Sequence, residues 1–369
     1  MSAELLLMGC GDVGPIHEPV ERYATLVRDT LAGADLRFAQ VERVYSERGA
    51  LQLHSGGGHS RVPPAMASVF TDCDFDVVSL ASNHAMDWGP DAMLDTAELL
   101  RSRGMQVIGA GENLAAARRP AILERNGVRV AFLAYCSILR EGYAATERQP
   151  GVAPLRAHTY YEAFDYQAGV PPRVVTVPYE DDLAAMTADI AAARCEAHAV
   201  IVSLHWGIHF IPRVIADYQP LVARAAFAAG ADAILGHHAH CPKAIGLHDG
   251  KACFYSLSNF IMSSTAKSPA KAAKFCREYG VELDPEYPHL AYGRDAKRSL
   301  IANLRIGVNG VREAAWRPVL IDRELRPEPL SQGDPRFDDA VRFMTDVSAG
   351  YGAAFERRGD ELRIVSAPD

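Results

Sequence analysis

Long apolar runs are scarce in these 369 residues. The "LLLM" stretch at 5–8 is far too short to span a bilayer, and it lacks the basic flank and long apolar segment of a signal peptide. Positive charge is in deficit as well. Thirty-eight Lys and Arg stand against 46 Asp and Glu, and a net charge of −8 removes the basic face that an obligate nucleic-acid partner needs. The seven cysteines (Cys10, Cys73, Cys136, Cys195, Cys241, Cys253, Cys276) contain no Cys-x-x-Cys and are odd in number. That is reduced-compartment usage, not a disulfide framework. Repeats and low-complexity tracts are missing too. These absences point to a cytoplasmic chain without a membrane anchor and without a nucleic-acid partner. They leave its oligomeric state open.

Short apolar runs, by contrast, recur. "ELLLMGCGD" (4–12), "FDVVSLASNH" (75–84), "VRVAFLAYCS" (128–137), "AVIVSLHWG" (199–207), "ADAILGHHAH" (231–240) and "KACFYSLSNF" (251–260) are rich in Val, Ile, Leu and aromatics. Nearly continuous apolar runs of this length suit strands buried on both faces. Helical segments lie between them. Pro90 opens "DAMLDTAELLRSRG", which stops at Gly104, and "ADYQPLVARAAFAAG" (216–230) stops at Gly230. Strand–helix alternation predicts a layered α/β fold.

Two segments break the rhythm. Residues 140–180 gather Tyr143, Tyr160, Tyr161, Phe164, Tyr166 and Tyr179, and residues 263–298 gather Lys267, Lys271, Lys274, Arg277, Arg294, Lys297 and Arg298. Insertions of this length are often lids or binding loops, and a solvated basic helix face is the plainer reading of the second.

Three of the 13 histidines fall within four positions of "GHHAH" (236–240), just past a predicted strand. Imidazole suits Zn, Fe, Ni and similar ions, but a lone His-x-His is weak evidence. Asp12, Asn83, His84 and His205 also follow predicted strands. Each has an ordinary explanation by itself: a helix cap, a turn former, a satisfied core histidine. Strand carboxyl ends form one functional edge in open α/β sheets, so all of them can converge there. Carboxylate, amide and imidazole together suit a pair of divalent ions. Cys10 and Cys241 adjoin these residues but read as small buried hydrophobes.

At this point the motifs carry a resemblance. "GDV" (11–13), "SLASNHAMDWGPDAMLDT" (79–96), "GAGENLAAARRPAIL" (109–123), "PGVAPL" (150–155), "SLHWG" (203–207), "GHHAH" and "FYSLSNF" (254–260) resemble the bacterial CapA-type poly-γ-glutamate synthesis proteins, a branch of the calcineurin-like metallophosphoesterases. The likeness runs from about residue 5 to 262. It implies a four-layer α/β/β/α sandwich of the metallophosphoesterase type over residues 1–320, with 321–369 as a C-terminal extension packed on it. It further implies a dinuclear centre of Mn, Fe or Zn held by Asp12, Glu42 (in "FAQVERV", 38–44), Asn83, His205, His238 and His240. By the same resemblance His84 is the general acid or electrostatic stabiliser, and His237 stands behind the ligands. Three departures bear on substrate. Gln40-Val41-Glu42 replaces the usual Asn-Leu-Glu, His209 stands where a Glu is usual, and Ser258 stands where a Gly is usual.

Such a centre suggests metal-dependent hydrolysis, and the resemblance implies an amide, peptide-like or phosphoester bond of a small-molecule or peptide substrate as its target. Fold resemblance alone does not choose the substrate. An epimerase or lyase remains open, with His84 and His209 as acid and base at the α-carbon. So does a non-catalytic accessory role in polymer synthesis.

Overall fold

The computed structural model describes residues 3–55 and 60–368. Two sheets lie face to face between outer layers of helices. Among the described residues the larger has ten strands, in the path Ala353–Arg358, Glu361–Ser366, Gly310–Ile321, Arg298–Gly307, Glu4–Gly14, Leu36–Val41, Val77–Ser79, Gln106–Ile108, with Asn259–Met262 and Pro327–Pro329 paired off this path. The smaller has six, in the order Ile245–His248, Lys251–Phe254, Ala233–His237, Ala199–His205, Val128–Cys136, Ala121–Arg125.

The period of two along each strand explains the layering. In Val128–Cys136, Phe132 and Ala134 point toward the other sheet, while Ala131, Leu133 and Tyr135 point outward. The inward set packs against Leu7, Phe38 and Val78, and the Phe38 and Phe132 rings stack at 6.2 Å across the interface. The outward set packs under Met186, Ile190 and Ala193 of helix Glu180–Glu196 and Val222, Ala223 and Ala226 of helix Tyr218–Ala229. Helix Gly89–Ser102 packs on the larger sheet through Met93, Ala97 and Leu100. The result is the four-layer α/β/β/α sandwich that the resemblance implies. No helix among the described residues is long and apolar enough to cross a membrane.

Both helices end as the punctuation predicts. Pro90 sits in the first turn of Gly89–Ser102, Gly104 follows it at φ 91°, and Gly230 closes Tyr218–Ala229 at φ 116°. Two strand expectations need correction. Only Val77–Ser79 of the 75–84 run is strand, so Asn83 and His84 lie in a loop beyond it. The 251–260 run is not one strand but two in different sheets. Lys251–Phe254 extends the smaller sheet, and Asn259–Met262 crosses to pair with the end of Glu4–Gly14. Both halves are buried on both faces, so apolar continuity carries no mark of the crossing.

The crossing brings backbone against backbone. Asp12 N donates to Ser258 O at 2.9 Å, and a Cβ on Gly11 would stand 2.0 Å from that oxygen. Ser258 itself sits at φ 69°, and its hydroxyl is buried with no partner in the structure. A left-handed non-glycine residue costs about 1–2 kcal/mol, and glycine's extra unfolded-state entropy offsets about half of that. The orphaned hydroxyl adds a further penalty. Ser258→Gly is therefore expected to stabilise the fold by about 1 kcal/mol in a denaturant or thermal melt. A lower melting temperature would show that the hydroxyl contributes more than the strain removes.

Candidate metal centre

Parallel pairing within each sheet sends strand carboxyl ends to one edge of the sandwich. Glu4–Gly14, Leu36–Val41 and Val77–Ser79 run parallel in the larger sheet, and Val128–Cys136, Ala199–His205 and Ala233–His237 in the smaller. Asp12, Glu42, Asn83, His205, His237, His238 and His240 all arrive at that edge, and each is at most 6% exposed. His238 and His240 have φ of 91° and 54°, an unusual backbone for non-glycine residues of the kind that clusters at functional sites.

The side chains form two groups that share Glu42. On one side Asn83 Oδ1 lies 2.7 Å from His205 Nε2 and 3.3 Å from His238 Nδ1, and those two ring nitrogens are 3.2 Å apart. Glu42 Oε2 is 3.8 Å from His205 Nε2 and accepts from Ser82 Oγ at 3.0 Å. On the other side Glu42 Oε1 faces His240 Nε2 at 3.9 Å. Asp12 Oδ2 is 3.6 Å from His240 Nδ1, and its Oδ1 is 3.3 Å from His237 Nδ1.

Burial sets the charge states. It pushes the Glu42 carboxyl well up, with the neighbouring Asp12 charge adding to the rise. It also pulls His205 and His238 well below the usual imidazole range, where the surrounding histidines reinforce it, and holds His240 and His209 at about 3. Neutral imidazoles have a free lone pair for a cation. Both oxygens of Asp12, Oε1 of Glu42, Nδ1 of His205 and both ring nitrogens of His237 are buried without a hydrogen-bond partner. Asp12, Glu42 and His205 offer ligand atoms all within 4.8 Å of one another. Buried polar atoms left unpaired in such numbers are costly unless something positive sits among them. The donor set therefore fits divalent cations.

Several supporting residues have partners that the sequence did not assign. Asn259 donates Nδ2 to the carbonyls of His240 and Ala296, which turns its Oδ1 toward His240 Nδ1 at 2.8 Å. His240 Nδ1 is thereby the protonated nitrogen, and Nε2 keeps the lone pair that faces Glu42. His84 Nδ1 lies 2.6 Å from Asp87 Oδ2, and Tyr143 donates its hydroxyl to Asp87 Oδ1 at 2.8 Å. Asp87 is fully buried, while the His84 side chain keeps 17% of its surface exposed. The Asn-His spacing already hinted at His84. Asp87 could have been suspected from its i+3 position; Tyr143 could not.

The two insertions behave differently. Tyr143 is buried beneath His84, but Tyr160, Tyr161, Phe164 and Tyr166 stand exposed on or beside the Ala157–Glu162/Arg173–Pro178 hairpin. Tyr292, from the basic segment, stacks on His240 at 4.3 Å between ring centres. His209 packs on His238 at 3.8 Å, from a loop that the buried Lys243 holds by donating to Ile211 O and Val214 O. Cys10 and Cys241 are buried, and burial pushes both thiols up, Cys241 to about 12. They are inert neighbours of the cluster.

A family model described as "Bacterial capsule synthesis protein PGA_cap" matches residues 13–264. The chain is 31% identical to the PGA biosynthesis protein CapA of Bacillus subtilis (strain 168) over 204 residues, 55% of this chain and 47% of that one. It is 29% identical over 210 residues to a probable polyglutamine synthesis accessory protein of Mycobacterium tuberculosis (strain H37Rv), 54% of this chain and 49% of the relative. The chain thus spans about half the length of the curated relatives it matches. Among solved structures it is similar to the calcineurin-like phosphoesterase YfkN of Bacillus subtilis, at 12% identity and a TM-score of 0.43 over 94% of this chain and 97% of that one.

Proposed function

The chain belongs to the bacterial capsule synthesis protein family PGA_cap, and from that membership and the donor cluster we propose that it is a hydrolase dependent on two divalent cations. The observation that carries this reading is Glu42, whose two oxygens face two separate donor groups. Asn83, His205 and His238 would hold one ion, and Asp12 and His240 the other, with Glu42 between them. His237, fully buried on Asp12, suits a ligand or positioning role better than substrate contact. When bound, Mn, Fe or Zn supplies Lewis-acid activation of water and of the scissile group.

The remaining work falls to side chains. His84 is partly exposed beside the ligand Asn83, where it can give a proton to a leaving group or steady developing negative charge. Asp87, held by Tyr143, fixes the His84 ring and keeps its Nε2 directed away from the carboxylate. Tyr292 and His209 cover the ligands and limit access of bulk water. An amide or peptide-like bond is the favoured target, since the matched relatives are named for polymers of glutamate or glutamine. A phosphoester is the competing one.

The test is elemental analysis of the purified chain, followed by hydrolysis assays on N-acyl amino acids, short peptides and aryl phosphoesters. Two ions per chain and turnover abolished by chelation are expected. Deuterium entering the α-carbon in heavy water without cleavage would replace hydrolysis with epimerisation. Absence of bound metal would leave an accessory role.

A further inference from the structure

A concavity of about 470 Å³ opens at the strand ends of the smaller sheet, lined by Gly207 and Ile208 just past His205. It opens where Val128–Cys136 and Ala199–His205 end, a junction closed by Ser137 N donating to His205 O at 3.0 Å. Its walls are mainly apolar, with Ile138, Val174 and Ile208 among them, and Thr159 and Thr176 come from the base of the exposed hairpin. The one charged side chain on its wall is Arg140.

Arg140 is half-buried and forms no ion pair among the described residues, in a chain whose net charge is −8. Its position is tied to the chemistry. Arg140 O accepts from Tyr143 N at 3.1 Å, and the hydroxyl of that same tyrosine donates to Asp87, the partner of His84. A guanidinium in a largely apolar pocket is a fork for a planar anion. Pockets of this size accommodate a small amino-acid-like group.

We propose that this pocket binds the non-reacting end of the substrate, with Arg140 pairing to its carboxylate and the apolar wall receiving the adjacent side chain. The proposal rests on the reading of the centre as a hydrolase of amide-linked substrates and names the substrate's anchor. A carboxylate is favoured over a phosphate because one cation among apolar residues matches a single negative charge. The residue is a specificity determinant.

The test is calorimetric titration of the Mn²⁺-loaded chain with N-acetyl-L-leucine, its neutral amide N-acetyl-L-leucinamide, and phenyl phosphate. A hydrogen bond to a charged group contributes about 1.5–3 kcal/mol, so the acid is expected to bind at least about tenfold tighter than the amide. Arg140→Gln should erase that preference and Arg140→Lys should keep part of it, both with metal content unchanged. Equal affinity for acid and amide, a preference surviving in Arg140→Gln, or no acid binding at millimolar concentration overturns the proposal. Arg140-dependent binding of phenyl phosphate alone overturns the choice of carboxylate. Chromatography of each titrated sample for released leucine separates binding heat from cleavage heat, so this result and that of the hydrolysis assay fail independently.

Discussion

His84→Ala is expected to lower turnover by roughly a hundred-fold or more, the usual scale for losing a positioned acid, while both ions stay bound. His84 adjoins Asn83 in the chain, but its Nδ1 is turned to Asp87 at 2.6 Å and not to the donor cluster. Removing it would therefore take away the proposed proton donor without taking a proposed ligand. KM should stay within a few-fold, since the loss falls on the transition state. His84→Asn separates the two roles, because an amide can donate a hydrogen bond but transfers no proton near neutral pH. Activity retained in that variant would favour electrostatic stabilisation over acid catalysis. Asp87→Asn should act in the same direction but more weakly, about tenfold, because it disturbs only the ring's orientation. Near-normal turnover in both His84 variants would make the residue a turn former and remove it from the site.

The second large effect is on metal content. Glu42 lies between the two donor groups, with one oxygen facing His205 and the other facing His240. Glu42→Ala is expected to lose both ions on dialysis. Asp12→Ala should lose the ion on the His240 side, and His238→Ala the one on the Asn83–His205 side. Each measurement is plasma mass spectrometry alongside circular dichroism. The variants are expected to stay folded, because the two-sheet core of Phe38, Phe132, Leu235 and Phe254 does not depend on the edge. Removing a carboxylate from this buried cluster also lessens repulsion in the metal-free state, since the Asp12 charge raises the Glu42 carboxyl. Full metal retention in Asp12→Ala and His238→Ala would end the assignment.

Much of the edge was legible because ligand-type residues sit in local motifs. "SNH", "LHWG" and "GHHAH" each place a polar residue directly after an apolar run, and a parallel strand must end before its side chains can leave the sheet. Helix ends at Gly104 and Gly230 were legible for an equally local reason, the left-handed backbone that glycine adopts cheaply. The bond between Asp87 and Tyr143, 56 residues apart, was not, because it exists only after both loops reach the same edge. Asn259 was hidden for a further reason: its strand changes sheets within an apolar run that gives no sign of doing so.

By itself, then, the sequence determined the alternation of buried strands and helices, the motifs that identify the family, and the short list of side chains able to hold cations. Those follow from residue type and spacing along one stretch of chain. Only the tertiary structure decided which donors share a neighbour, which imidazole nitrogen keeps its lone pair, and which basic residue faces a pocket without a carboxylate. Those depend on distances between segments that are far apart in sequence, and no local pattern encodes them.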